Sequence, residues 1–351
     1  MTSERPAAYF EATWAAFASV SGAPWQAVHR IGGRTVRIEG KGTALSVALL
    51  PALAHLALDA GDATAAPPPD LVVRTWDLAS GRVGPPPLNA APGDLLIHDR
   101  VAALSDERFV VIWERHFDAI TLVDRATGRA VYFTGDAAAL PYYETAAPLR
   151  ALWHAWFSAH GLLPLHGACV GRDGDALLLT APGGNGKSTT ALLALQAGFD
   201  YLADDWCHIA PHAPAAAHSL FGTAKLRPDN LHRFPGLADR IHNHDKLDEE
   251  KATFFLQRDF APQLRASARL RAIVVPRVTG RPETTFAPAG AALAWHALMG
   301  VTVRGIAGSG REAFTLLGEV ARCAPVYRLD LGTDLSRIPP ILEAILRHEP
   351  A

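Results

Sequence analysis

Cysteine is scarce in this chain. Only Cys169, Cys207 and Cys323 occur among 351 residues, far apart and with no CxxC pair, which argues against a disulfide framework or a cysteine zinc site and suits a reducing, cytoplasmic compartment. An excess of charge is lacking too. With 33 Lys and Arg against 35 Asp and Glu, the formal charge is -2, so no global basic field points to nucleic acid or an anionic membrane. Any polyanion bound here is bound locally. Long apolar runs are missing: the longest, residues 44–58, is broken by Pro51 and His55 and falls short of the ~20 residues of a membrane helix. It reads as a buried helix. Glu4, Arg5 and Glu11 interrupt the apolar pieces of the N-terminus, so no signal peptide, and no export, is expected. Lysine is confined to Lys41, Lys187, Lys225, Lys246 and Lys251. Among the histidines, His208 with His212 and His242 with His244 have ligand-like spacing, but no soft partner accompanies them and they read as surface or loop residues.

What is present is enough apolar sequence, 49% of residues, for two domains of ordinary size. Residues 1–145 read as a β-rich module. Trp25 to Glu39 alternates about Gly32-Gly33 like a hairpin, Leu71 to Trp76 is strand-like, and a meander follows through 95–98, 109–113, 119–123 and 130–134,. From about Thr145 the pattern changes. Apolar residues at helical spacing over 147–160 predict a helix opening a second domain, 146–351,. Beyond it, 163–170 and 176–180 read as paired strands turning at Arg172-Asp173-Gly174. Strands are expected at 270–275 and 326–331, and helices at 290–298, 312–323 and 338–347.

The strand 176–180 runs into Ala181-Pro-Gly-Gly-Asn-Gly-Lys-Ser188, and an apolar helical stretch follows to Ala197 before Gly198. Strand, glycine turn and helix together read as a phosphate cradle. Gly183, Gly184, Asn185 and Gly186 would turn backbone N–H groups onto the phosphates of ATP, Lys187 would reach the β/γ oxygens, Ser188 would hold Mg²⁺, and Thr189 begins the helix. One position departs from the pattern, which wants glycine where Ala181 stands. Sixteen residues beyond Ser188, Asp204 and Asp205 lie side by side in an apolar segment. Neighbouring strand residues face opposite ways, so the two are expected to differ in role, one beside Ser188 and Mg²⁺, the other facing an acceptor hydroxyl.

Three motifs in register, Leu165-His166-Gly167, Gly183 to Ser188 and Ala203-Asp204-Asp205, resemble HPr kinase/phosphorylase and its relatives, P-loop protein-serine kinases related in fold to phosphoenolpyruvate carboxykinase. The resemblance implies an α/β P-loop kinase domain preceded by a smaller β-rich domain. It further implies Lys187 and Ser188 on phosphates and Mg²⁺, Asp204 as the base that activates the serine hydroxyl, Asp205 near the metal, and His166 at the floor of the site. By itself His166 reads as a core histidine. The segment Ser219 to Leu226 containing Lys225, Glu250-Lys251 and the tail Pro325 to Leu331 are similar to HPr-kinase-like proteins of lasso-peptide clusters, which implies a peptide or small-protein acceptor other than HPr. Residues 1–145 do not resemble the N-terminal domain of the HPr kinases. That module is expected to recognise the acceptor or to assemble a homo-oligomer. Lys225, Lys251, Arg277 and Arg304 are candidates for the positive charge that phosphoryl transfer needs beside the metal. Two alternatives stay open: a nucleotide-gated assembly protein that transfers nothing, and a kinase of a free small metabolite such as serine.

Overall fold

The structure, a computed structural model, describes residues 4–65, 67–88, 95, 99–302 and 311–348. The chain separates into two units, which divide in sequence between Gly161 and Leu162.

The first unit is built on a mixed six-stranded sheet. Its strands are β1 (Pro24–Ile31), β2 (Arg34–Lys41), β3 (Leu71–Asp77), β4 (Phe109–Glu114), β5 (Ala119–Asp124) and β6 (Arg129–Thr134), in the order β1-β2-β3-β6-β5-β4. β1 and β2 form the expected hairpin. β2 and β3 are parallel, and a parallel pair needs a crossover. Helix Ala44–Leu53 lies in that crossover and packs on β3. Phe10 from helix Glu4–Ala16 joins Trp76, Phe109, Leu122, Val131 and Phe133 in one apolar cluster. β5 is buried at all six positions, as a strand covered on both faces must be. The helix expected over 147–160 forms as Arg150–Ser158 and packs on β5. It therefore closes the first unit, and the break falls after Gly161 rather than near 145. Of the strand expected at 95–98, only Leu95 lies within the described residues.

The second unit carries a nine-stranded sheet. Its principal path is β10 (Asp200–Ala203), β8 (Ala168–Arg172), β9 (Asp175–Leu179), β15 (Ser267–Val278), β12 (Ala216–His218), β11 (Trp206–Ala210) and β7 (Leu163–His166). β17 (Val326–Leu331) pairs in parallel with the far half of β15, and β16 (Thr285–Ala289) pairs with β17. β13 (Thr223–Leu226) and β14 (Ala252–Phe255) form a separate antiparallel pair. Helices Lys187–Gln196 and Ile338–Arg347 share one core with the sheet through Leu177, Leu179, Leu195, Val274, Leu342 and Ile345. Helix Ala291–Thr302 packs on β7, β15 and β17.

The run read as one strand over 163–170 is two, β7 and β8, broken at Gly167. These strands are neighbours in sequence but stand last and second in the path. Residues 204–205 make a second jump, from β10, the first strand, to β11, the sixth. The jumps meet where Gly167 N–H donates to Asp205 C=O at 3.0 Å. A Cβ on Gly167 would lie 2.8 Å from Leu179 O, so the close approach of this connection to the end of β9 favours glycine.

Among the described residues, no helix is long and apolar enough to cross a membrane.

Candidate active site

β9 lies between β8 and β15 and delivers the chain at Thr180 into the loop 181–186. Gly186 ends the loop at φ 86°, and helix Lys187–Gln196 begins immediately after it. An added Cβ there would lie 2.5 Å from Leu331 Cδ1, so the left-handed backbone favours glycine and a side chain would displace the end of Leu331. Asn185 Nδ2 donates to Pro182 O at 3.2 Å and ties the loop to itself. Ala181, the residue that departs from the glycine pattern, is buried, and its carbonyl accepts from Lys187 Nζ at 2.6 Å. Pro182 O accepts from the same ammonium at 3.3 Å. The lysine thus folds back over the loop and is only 8% exposed. Burial pushes its pKa down, with Asp204 and Asp205 acting against the shift.

The two aspartates, on the connection between β10 and β11, point to different partners. Asp204, 4% exposed, accepts from Ser188 Oγ at 2.8 Å and from the Lys225 backbone N–H at 3.1 Å. Burial, then the charge of Asp205, raises its pKa. Asp205 turns away at φ 94°, a left-handed conformation that costs a non-glycine residue of order 1 kcal/mol or more. Its Oδ1 lies 2.8 Å from His166 Nε2 and its Oδ2 2.8 Å from Lys225 Nζ. Burial pushes this carboxyl upward, yet Lys225 and His166 outweigh it and hold the group well below the usual carboxylate range. The carboxylate on Ser188 is therefore Asp204 and not Asp205. Alternation stops at the positive-φ residue, which sends the second side chain across to β7.

Lys225 contacts both carboxylates, one through its main chain and one through its ammonium. His166, at the end of β7, meets Asp205 on one side and the edge of Trp206 on the other, ring centroids 5.3 Å apart.

These groups open onto one cleft of about 320 Å³. Gly183, Gly184, Gly186, Ser188 and Thr189 line it, as does Lys251, the residue before β14. The turn after β13 adds Arg227, Asn230 and Arg233, which sequence reading missed because only the β13–β14 pairing brings that turn over the loop. Five cationic side chains (Lys187, Lys225, Lys251, Arg227, Arg233) thus face two carboxylates, a local positive excess on a chain of formal charge -2. Such a cleft favours a polyanion. Arg277 stands outside it, exposed and paired with Asp330 at 2.5 Å. Arg304 lies outside the described residues. His208 is buried in β11, and burial drives its pKa down to about 3. His242 stacks edge-on to Phe255. Among the described residues no group of three or more His, Cys, Asp or Glu could hold a metal ion.

The Asp205 cluster has a consequence for stability. A carboxyl whose folded pKa is depressed contributes stability above its unfolded pKa, and that contribution is lost as pH falls toward the folded value. Calorimetric melting of wild type and Asp205→Asn should therefore show a Tm gap at pH 7 that narrows below about pH 4. A gap independent of pH would mean that Asp205 is not ionised against Lys225 and His166.

No family model matches the chain, and no curated protein matches it. Among solved structures, the chain is similar to the HPr(Ser) kinase/phosphatase from Coxiella burnetii at 10% identity and a TM-score of 0.30, the match covering 52% of this chain and 93% of that one.

Proposed function

We propose that the chain is an ATP-dependent kinase that transfers the γ-phosphoryl group to a serine hydroxyl of a peptide or small protein. The observation that carries this reading is the division between the two carboxylates beside the glycine loop: Asp204 is buried on Ser188, while Asp205 is the more exposed of the pair and is held by His166 and Lys225.

Ser188 and Asp204 would hold Mg²⁺. A hydroxyl and a carboxylate are hard oxygen donors, and an ion that keeps waters and phosphate oxygens in its shell needs no second protein carboxylate. Bound there, it would neutralise phosphate charge. The N–H groups of 183–188 receive the phosphates. Lys187 must leave the carbonyls of Ala181 and Pro182 to reach the β/γ oxygens. Asp205 takes the proton of the acceptor hydroxyl as the serine O–P bond forms and the bond from the γ-phosphorus to ADP breaks, which exchanges the base and metal roles implied by the family resemblance. A depressed pKa makes Asp205 a weak base, and that suffices where the transition state is loose and the hydroxyl keeps its proton until late. His166 positions Asp205. Lys225, paired with Asp205, and Lys251, which lines the same cleft, supply positive charge,.

Incubation with Mg-ATP and a library of serine-containing peptides, read by mass spectrometry, tests the proposal. The expected result is one added phosphoryl group on a serine, with ADP released in step. Nucleotide binding with no phosphorylated acceptor would favour a nucleotide-gated assembly protein, and modification of free serine but of no peptide would favour a metabolite kinase.

A further inference from the structure

The start of β14 is tied down by one side chain that stands outside the cleft. Asn243 is buried, 7% exposed, and does not line the cleft. Its Nδ2 donates to Glu250 Oε2 and to Lys251 O, each at 2.9 Å, and its Oδ1 accepts from the Thr253 N–H at 2.9 Å. These three partners need two donors and one acceptor on a short stem, which an amide supplies. The main chain closes the same loop: the His242 N–H donates to Thr253 O at 2.8 Å and the Lys246 N–H to Asn243 O at 3.1 Å. Residues 250, 251 and 253 are thus held on one amide, with Lys251 among them. Thr253 faces Lys225 across the β13–β14 pair. Lys251 itself is exposed and lines the cleft, and its charge adds to the burial that lowers the pKa of Lys187.

We infer that Asn243 is a positioning residue for the cleft: by holding the main chain on both sides of Lys251, it sets the lysine's ammonium against bound phosphate. The inference rests on the nucleotide-binding reading above and adds to it a residue that stands outside the cleft. A lysine carries its charge on a long flexible stem, so the reach of that charge depends on where its Cα is held. The loop before Lys251 carries Asp245, Asp248, Glu249 and Glu250, and if it were loosened these carboxylates would compete with phosphate for the same ammonium. Asn243 holds the adjacent one, Glu250, in a hydrogen bond of its own. Losing the set position should cost the worth of one charge-assisted contact, about tenfold in phosphate affinity.

Calorimetric titration with tripolyphosphate and Mg²⁺ tests this on wild type, Lys251→Ala, Asn243→Ala, Asn243→Leu and the two double variants, each titrated below the lowest Tm of the set. Alanine leaves room for water to satisfy the freed groups, leucine keeps the volume of the side chain, and neither adds charge. Each single substitution should weaken binding by about tenfold, and each double variant should bind no more weakly than Lys251→Ala alone. A residue that served stability alone would lower Tm without this coupling. Unchanged affinity in both Asn243 variants, unchanged affinity in Lys251→Ala, or losses that multiply to about a hundredfold in the double variants would overturn the positioning role and leave the phosphate loop standing. Binding of neither tripolyphosphate nor Mg-ATP by wild type would remove the nucleotide reading and this inference with it.

Discussion

Replacing Lys187 with methionine is expected to reduce phosphoryl transfer by about 10²–10³-fold while the protein remains folded. The choice of methionine follows from the burial of this side chain. Lys187 is 8% exposed and donates to two loop carbonyls. Either substitution removes the donor to those carbonyls, but truncation to alanine would also open a cavity, mixing a packing defect with the chemical one. Methionine keeps the stem and removes the charge. Single-turnover transfer measured by mass spectrometry, beside a melting curve, separates the two effects. Transfer at the wild-type rate by the methionine variant would defeat the assignment of 181–188 as a phosphate cradle.

The second large effect concerns the acidic pair, whose two asparagine variants should fail differently. Asp204→Asn alters the group that accepts from Ser188, so Mg-nucleotide affinity should fall and the Mg²⁺ requirement should rise. Asp205→Asn leaves Ser188 and Asp204 in place, so nucleotide affinity should stay near that of wild type while the transfer step slows by ~10²-fold, the lower end for general-base catalysis. Calorimetry of Mg-nucleotide binding and single-turnover transfer, run on both variants, read the two effects separately. Were Asp205→Asn to lose nucleotide binding while Asp204→Asn kept it, the roles proposed here would be reversed; equal loss in both would make the pair one metal-binding unit.

Local features of this fold were legible in the sequence, because they depend on neighbours in the chain. The β1–β2 hairpin at Gly32-Gly33, the meander of β4 to β6, and the strand, turn and helix around Gly186 are all of this kind. So is the helix of 338–347, whose buried face is Ile338, Leu342, Ile345 and Leu346. What escaped depends on distant contacts. Residues 163–170 carry the apolar run of a single strand, and nothing local reveals that Gly167 breaks it to pass Asp205 and Leu179. The sequence marks the two carboxylates as an adjacent pair with different roles, but the turn of Asp205 toward His166 follows from its positive φ, which a two-residue repeat does not encode. Arg233 and Val278 belong to no motif. They join the cleft only because β14 pairs with β13 and β17 with β15.

The meeting of the two strand jumps at Gly167 and Asp205 makes the site a report on the whole sheet. Asp204 and Asp205 stand on the connection from the first strand of the path to the sixth, and His166 ends the seventh. Their placement therefore requires every pairing between, so refolding should restore buried-tryptophan fluorescence before it restores the acidic cluster, since contacts of long sequence separation form late. The same dependence runs in reverse under mild denaturant. Loosening at any strand of the path displaces one wall of the cleft relative to the other, and activity should disappear while most of the chain is still folded.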